Sequence, residues 1–282
     1  MLVHASSALR RADTKVVEPA SGGCMREMFA QFFGHIADDN GGCTRFIGMV
    51  TNISALTPQL LSRSAAELYP EGPVLFRKLQ RYRPYICPFE ELIPEVPMGA
   101  SVLDIGCGGG LFLGLIDAAG LKPTGLGFDV SAPAIRLADS MAAARRNRGG
   151  HLHFRRLAPD EPWPTGKFDV VSMIDVIHHV PAAAQENVIR RACRRVKPGG
   201  AFVYKDMVKR PRWRAFANQM HDLVLARQWI HYAPVAEVER WAADEGLALE
   251  RAELINRLWY GHELRVFRHP GARASAVEGS EK

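Results

Sequence analysis

Val102-Leu103-Asp104-Ile105-Gly106-Cys107-Gly108-Gly109-Gly110 is the stretch on which the fold turns. Val102, Leu103 and Ile105 form a short apolar run of the kind that fills a buried parallel strand. Asp104 interrupts the run, and Gly106 to Gly110 follow with a single non-glycine, Cys107. A strand that ends in glycines lets the backbone turn tightly and lets a ligand come close to the main chain. A carboxylate at the end of such a strand is costly to bury unless something binds it. Over these residues alone, a plain glycine-rich turn from strand to helix would read the same way.

The chain beyond narrows the choice. Pro123 to Phe128 reads as a second strand, and it ends at Asp129. Ser131 and Pro133 then open an alanine-rich helix that runs to about Arg146, with cap and proline where a helix start wants them. A strand, glycine loop, helix, strand and acid in this order form the unit that binds an adenosine ribose. A nicotinamide dinucleotide and S-adenosylmethionine both carry that ribose. Leu111 stands where the dinucleotide pattern Gly-x-Gly-x-x-Gly needs its third glycine, and the acid Asp104 is not part of that pattern.

Four segments then resemble class I S-adenosylmethionine-dependent methyltransferases. Val102–Gly110 is similar to the family's acid-x-Gly-x-Gly-x-Gly motif. Gly127-Phe128-Asp129-Val130-Ser131 resembles its second strand with the ribose-binding acid. Phe168 to Pro181, which contains Asp175-Val176-Ile177-His178-His179, resembles its fourth strand and the following loop. Arg195-Val196-Lys197-Pro198-Gly199-Gly200 is similar to the turn into its fifth strand. The four stand in the family's order and spacing across roughly residues 95–206.

The resemblance implies S-adenosyl-L-methionine as cofactor and a set of roles. Gly106, Cys107, Gly108 and Gly110 would admit its methionine and ribose end. Asp104 would meet the methionine ammonium, and Asp129 would take the ribose hydroxyls. Phe128 and Val130 flank that acid, and one of them would touch the adenine. The family's adenine-binding acid falls on Leu157 here, so Asp160 is the candidate substitute. Asp175 ends the fourth strand, at the edge where open α/β sheets bind ligands. His178 and His179 follow, and an imidazole there suits a general base because its unperturbed pKa is near neutrality. His221 and His262 are weaker candidates for that role, and Tyr204, Lys205 and Asp206 end strand five at the same edge. No Asn-Pro-Pro-Tyr type signature of amino-group nucleic-acid methyltransferases occurs.

The acceptor is therefore read as a small molecule, methylated most readily at oxygen. RNA methylation and a catalytically silent cofactor-binding module stay open as alternatives. The net charge of +6, with arginines spread over several elements, suits either a phosphate-rich partner or ordinary solvated helix faces. Aromatic side chains (Phe29, Phe32, Phe33, Phe46, Tyr82, Tyr85, Phe89, then Trp213, Phe216, Trp229 and Tyr232) would suit an apolar acceptor pocket. Five cysteines without a Cys-x-x-Cys pair or zinc spacing suit a reducing cytoplasm. The first 24 residues lack the apolar core of a signal peptide, and no run of 18 apolar residues predicts a membrane-spanning helix.

The fold class that follows is α/β: a three-layer, doubly wound, seven-stranded, mostly parallel sheet. An antiparallel strand pair closes it at the C-terminus, and a helical extension precedes it. Residues 1–24 are expected to be disordered, 25–97 to form a helical cap, 98–269 the cofactor-binding domain, and 270–282 a flexible tail. Strands are expected at 101–105, 123–128, 151–156, 168–175, 200–206, 247–255 and 258–267, the last two joined by a turn near Asn256. Helices are expected at 25–37, 57–68, 74–81, 110–119, 133–146, 183–195, 212–230 and 235–245.

Overall fold

The computed structural model describes residues 15–17, 56–146, 151–208, 231–257 and 260–271. The expected helices at 25–37 and 212–230 lie outside these residues, as do His221 and most of the aromatic residues named above.

The extension forms α1, Pro58–Leu68, and α2, Val74–Ile86. Thr57 caps α1 as its sequence predicts, its hydroxyl accepting from Leu60 N–H at 3.2 Å, with Pro58 in the first turn. The expectation that α2 stops at Arg81 is corrected: the helix continues through Pro84 to Ile86. Proline costs a helix one hydrogen bond, and here burial of the Pro84 ring in the last turn offsets that loss. The short helix α3, Phe89–Leu92, leads to β2, Ser101–Ile105.

From there the chain alternates. The glycine loop opens α4, Leu111–Ala118; then come β3, Thr124–Asp129, and α5, Ala132–Arg145. Next are β4, His151–Arg156, β5, Phe168–Ile174, α6, Ala182–Cys193, and β6, Val196–Met207. Helix α7, Val235–Asp244, precedes the final pair β7, Ala248–Arg257, and β8, Tyr260–Arg268. The turn of that pair comes later than expected, since Asn256 lies inside β7, opposite Gly261.

The strands form one sheet in the order β1 (Lys15–Val17)-β7-β8-β6-β5-β2-β3-β4. Its seven expected strands are parallel except for β8, which runs antiparallel to both neighbours. An eighth strand, β1, Lys15–Val17, corrects the expectation of disorder at these three residues of the 1–24 segment. It pairs in parallel with Glu253–Ile255 on the far edge.

Two apolar cores flank the sheet. Leu61, Leu68, Leu92, Leu113, Ile116, Ile135 and Met141 fill one with α1, α3, α4 and α5. Ile189, Ala192, Val238, Trp241 and Phe267 fill the other with α6 and α7. The alternation of side chains along a strand therefore decides which layer each residue at the strand ends meets.

Candidate functional site

The glycine loop is set by conformation. Gly106, Gly108 and Gly110 all take left-handed backbone, with φ of +68°, +52° and +78°. The N–H groups of Gly106 and Cys107 both donate to Phe128 O, at 2.9 and 3.0 Å, which staples the loop to the end of β3. A Cβ on Gly106 would fall 2.5 Å from Val176 Cγ2, and one on Gly110 would fall 2.6 Å from Phe154 Cζ. A Cβ on Gly108 would meet nothing within 4 Å. Two of the glycines are thus fixed by packing, while the middle one opens onto space.

The two acids of the motif differ in their surroundings. Asp104 is buried, and Ser172 Oγ donates to its Oδ1 at 2.7 Å. Burial pushes its carboxyl up to about 7; the Ser172 bond and the charge of Arg83 offset only part of this, and Asp129 adds to it. Such a carboxyl gains from a cation placed beside it. Asp129 is half-buried. Gly108 N–H donates to one of its oxygens at 2.9 Å and Ser131 N–H to the other at 2.8 Å. These bonds fix the carboxylate at the rim of the loop, and each oxygen keeps a second lone pair for another donor. Val130 beside it is 59% exposed. Cys107 is buried under the loop, and burial first, then the nearby acids, push its thiol well up.

The segment after β4 holds Leu157 and Asp160. Leu157 N–H donates to Asp129 O at 3.0 Å, so its backbone borders the loop, while its side chain packs into the second core. Asp160 is exposed on the following turn.

The ends of β5 and β6 carry the other expected residues. Asp175 takes a left-handed backbone, φ +56°, unusual for a residue with a Cβ. Lys205 Nζ, wholly buried, donates to its Oδ1 at 2.5 Å, and Arg83 Nη2 of α2 donates to its Oδ2 at 3.2 Å. Burial opposes the charge of Asp175, but the two cations outweigh it and hold the carboxyl well below the usual carboxylate range. His262 lies on the same layer as Lys205. Burial first, then the lysine charge, push its imidazole well down, which keeps it neutral.

The next residue of β6 faces the opposite layer. Asp206 Oδ1 lies 2.5 Å from His178 Nδ1, and its Oδ2 accepts from His178 N–H at 3.2 Å. The carboxylate thus grips both ring and backbone of one histidine. Gln185 pins the loop from below, donating to Ile177 O, Val180 O and His231 O. His178 is buried and His179 is exposed, their rings 4.0 Å apart. Glu263 stands opposite Asp206 in the β6–β8 register, and burial pushes its carboxyl up to about 7.

The structure therefore gathers Asp104, Gly106, Cys107, Gly108, Gly110, Asp129 and Val130 around one loop. It gathers Asp175 and Lys205 at a neighbouring strand end, and sets His178 against Asp206 on the far layer. Arg83 and Tyr69 are additions. Tyr69 Oη donates to Gly109 O at 2.7 Å, so the extension touches the loop directly. Nothing local marks either residue, because their partners lie far along the chain.

A family model for a methyltransferase domain matches residues 75–252, more than half of the chain. A ubiquinone biosynthesis O-methyltransferase of Alkalilimnicola ehrlichii is 29% identical over 160 residues, which are 54% of this chain and 62% of that protein. The chain thus spans less than two thirds of that relative. Magnesium protoporphyrin IX methyltransferase from Synechocystis PCC 6803, with bound SAH (S-adenosylhomocysteine), superimposes with a TM-score of 0.55 at 17% identity. The match covers 73% of this chain and 93% of that one. An O-methyltransferase family protein from Burkholderia thailandensis gives 0.52 at 20% identity, covering 88% and 71%. At such identities the structural likeness establishes a shared fold. Among the described residues, no helix is long and apolar enough to cross a membrane.

Proposed function

We propose, from the premise that this chain belongs to the methyltransferase-domain family, that it methylates an oxygen of a small-molecule acceptor with S-adenosyl-L-methionine. The observation that carries the reading is the loop itself: three left-handed glycines, the middle one open to space, between a buried acid and a rim acid. The O-methyltransferase relative supports oxygen as the acceptor atom.

The residues present fit this cofactor. Asp104 would hold the methionine ammonium, which supplies the cation that its raised carboxyl lacks. Asp129 would hold the ribose hydroxyls, and Val130 would offer an apolar face to the adenine. Gly108 leaves the room that a Cβ would take. When bound, the cofactor supplies a methyl carbon activated by its sulfonium. The chain's task is then positioning, exclusion of water and removal of one proton. His178, oriented by Asp206, is the base in this reading, and His179 is the alternative beside it. The free, buried thiols of Cys87, Cys107 and Cys193 support a cytoplasmic setting.

Calorimetry with S-adenosylhomocysteine and with NAD tests the cofactor. Saturable binding of the first and none of the second is expected; the reverse sinks the reading. Methyl-labelled cofactor incubated with protein and a cell extract, followed by mass analysis, tests turnover.

A further inference from the structure

Helix α2 has two unlike faces. Its inner face meets the glycine loop: Gln80 Nε2 lies 2.9 Å from the point where a Cβ on Gly109 would fall. Arg77 Nε also donates to Tyr69 O at 3.0 Å, and Tyr69 in turn bonds the loop. The outer face carries Val74 and Leu75, 62% and 65% exposed, and Leu79 one turn later at 38%. Leu75 and Leu79 stand four residues apart, so they form one apolar ridge along the helix. Lys78, four residues after Val74, is exposed beside that ridge.

Charge selects what can cover this ridge. The helix holds Arg77, Lys78, Arg81 and Arg83 and no Asp or Glu; the nearest acid before it, Glu71, precedes its first turn. A second copy of the chain is a poor occupant, because a twofold pairing of this face would set Lys78 of one copy near Lys78 of the other. A surface of anionic lipid headgroups suits both parts of the face. The apolar side chains enter the boundary between headgroups and acyl chains, while the lysine reaches back to the phosphates on its flexible stem.

We infer that the outer face of α2 docks the protein on a bilayer surface containing anionic lipid, with Leu75 and Leu79 inserted and Lys78 on lipid phosphate. The helix has 13 residues, too few to span a bilayer, so it lies in the plane of the interface. Docking of the outer face leaves the inner face on the glycine loop, which then stands within one helix diameter, about 10 Å, of the lipid. The inference does not depend on the reaction proposed above.

The experiment measures co-sedimentation of the full chain with vesicles of phosphatidylcholine, alone or with about one third phosphatidylserine, at low and at physiological salt. The wild-type chain is expected to bind the mixed vesicles about tenfold better than the neutral ones, and to bind less as salt rises. Leu75→Gln combined with Leu79→Gln is expected to weaken that binding about tenfold, with the thermal unfolding midpoint unchanged. Lys78→Glu is expected to weaken it about fivefold and to flatten its salt dependence. No binding to mixed vesicles, equal binding to both kinds, or undiminished binding by the double variant overturns the inference. So does a wild-type dimer that the double variant dissolves, since a second copy then covers the ridge. A double variant with a clearly lowered unfolding midpoint overturns it too, because the chain itself then covers Leu75 and Leu79.

Discussion

The two halves of the site are built from different materials. The loop half, between β2 and β3, is made of backbone: left-handed glycines, N–H groups donating to Phe128 O, and N–H groups that hold Asp129. The other half, at the ends of β5 and β6, is made of side chains: Arg83 on Asp175, Lys205 on Asp175, His178 on Asp206. A backbone cradle tolerates little change but says little about what else it serves. A side-chain constellation can be rewritten one residue at a time while the cradle stays.

The largest expected effect breaks the cradle. Gly106→Ala combines a left-handed backbone with a Cβ 2.5 Å from Val176 Cγ2, and is expected to cost about 3 kcal/mol or more of stability. Denaturant titration measures it; a loss below about 1 kcal/mol contradicts the conformational account. Next comes the side-chain half. His178→Ala is expected to lower turnover by about 100-fold while leaving cofactor affinity near normal. Asp206→Asn should follow it, since the carboxylate orients the ring. Loss of cofactor binding in both variants would show that the loop is structural.

Asp129→Ala is expected to weaken S-adenosylhomocysteine by about 2–3 kcal/mol, as for a lost charge-assisted contact. Unchanged affinity in calorimetry removes the ribose assignment. Asp104 sharpens the contrast through pH. Its folded carboxyl is raised to about 7, above the ordinary carboxylate value. The folded state then binds a proton that the unfolded state releases, so this stability is full in acid and is lost as pH rises through about 7. At pH near 8, Asp104→Asn is expected to stabilise the cofactor-free protein by about 1–2 kcal/mol and to weaken cofactor binding. Thermal scans at two pH values check this, and a destabilised variant at the higher pH refutes it. The smallest effect is expected at Asp160, exposed on its turn; Asp160→Ala should cost about 0.5 kcal/mol of cofactor affinity or less.

The same contrast explains what the sequence could tell. Conformational needs leave local marks: glycine at three alternate positions, an acid before them, and a cap and proline before α1 and α5. These marks gave the sheet, its order of strands and helices, and the loop. Arg83 meets Asp175 from 92 residues away, and Tyr69 meets Gly109 from 40. No periodicity encodes such pairs; only the packing of α1 and α2 on the sheet creates them. The histidine pair was visible, but its division into one buried and one exposed ring was not. That follows from Asp206 facing the α6–α7 layer while Lys205 faces the other. Strand β1 was missed because three residues are too few to show alternation, and its partner register lies more than two hundred positions downstream.

The two rims of the sheet are guarded in unlike ways. The outer strand β4 displays His151, His153, Arg155 and Arg156 to solvent, a charged border on which another chain's backbone would dock poorly. The opposite rim, β7, is instead capped by the chain's own Lys15–Val17. Trimming the polypeptide to start after Val17 would strip that cap from Glu253–Ile255 and leave a ready template for strand-to-strand association. A shortened version would then be prone to self-association in concentrated solution, although the glycine loop and the side chains at the ends of β5 and β6 would be intact.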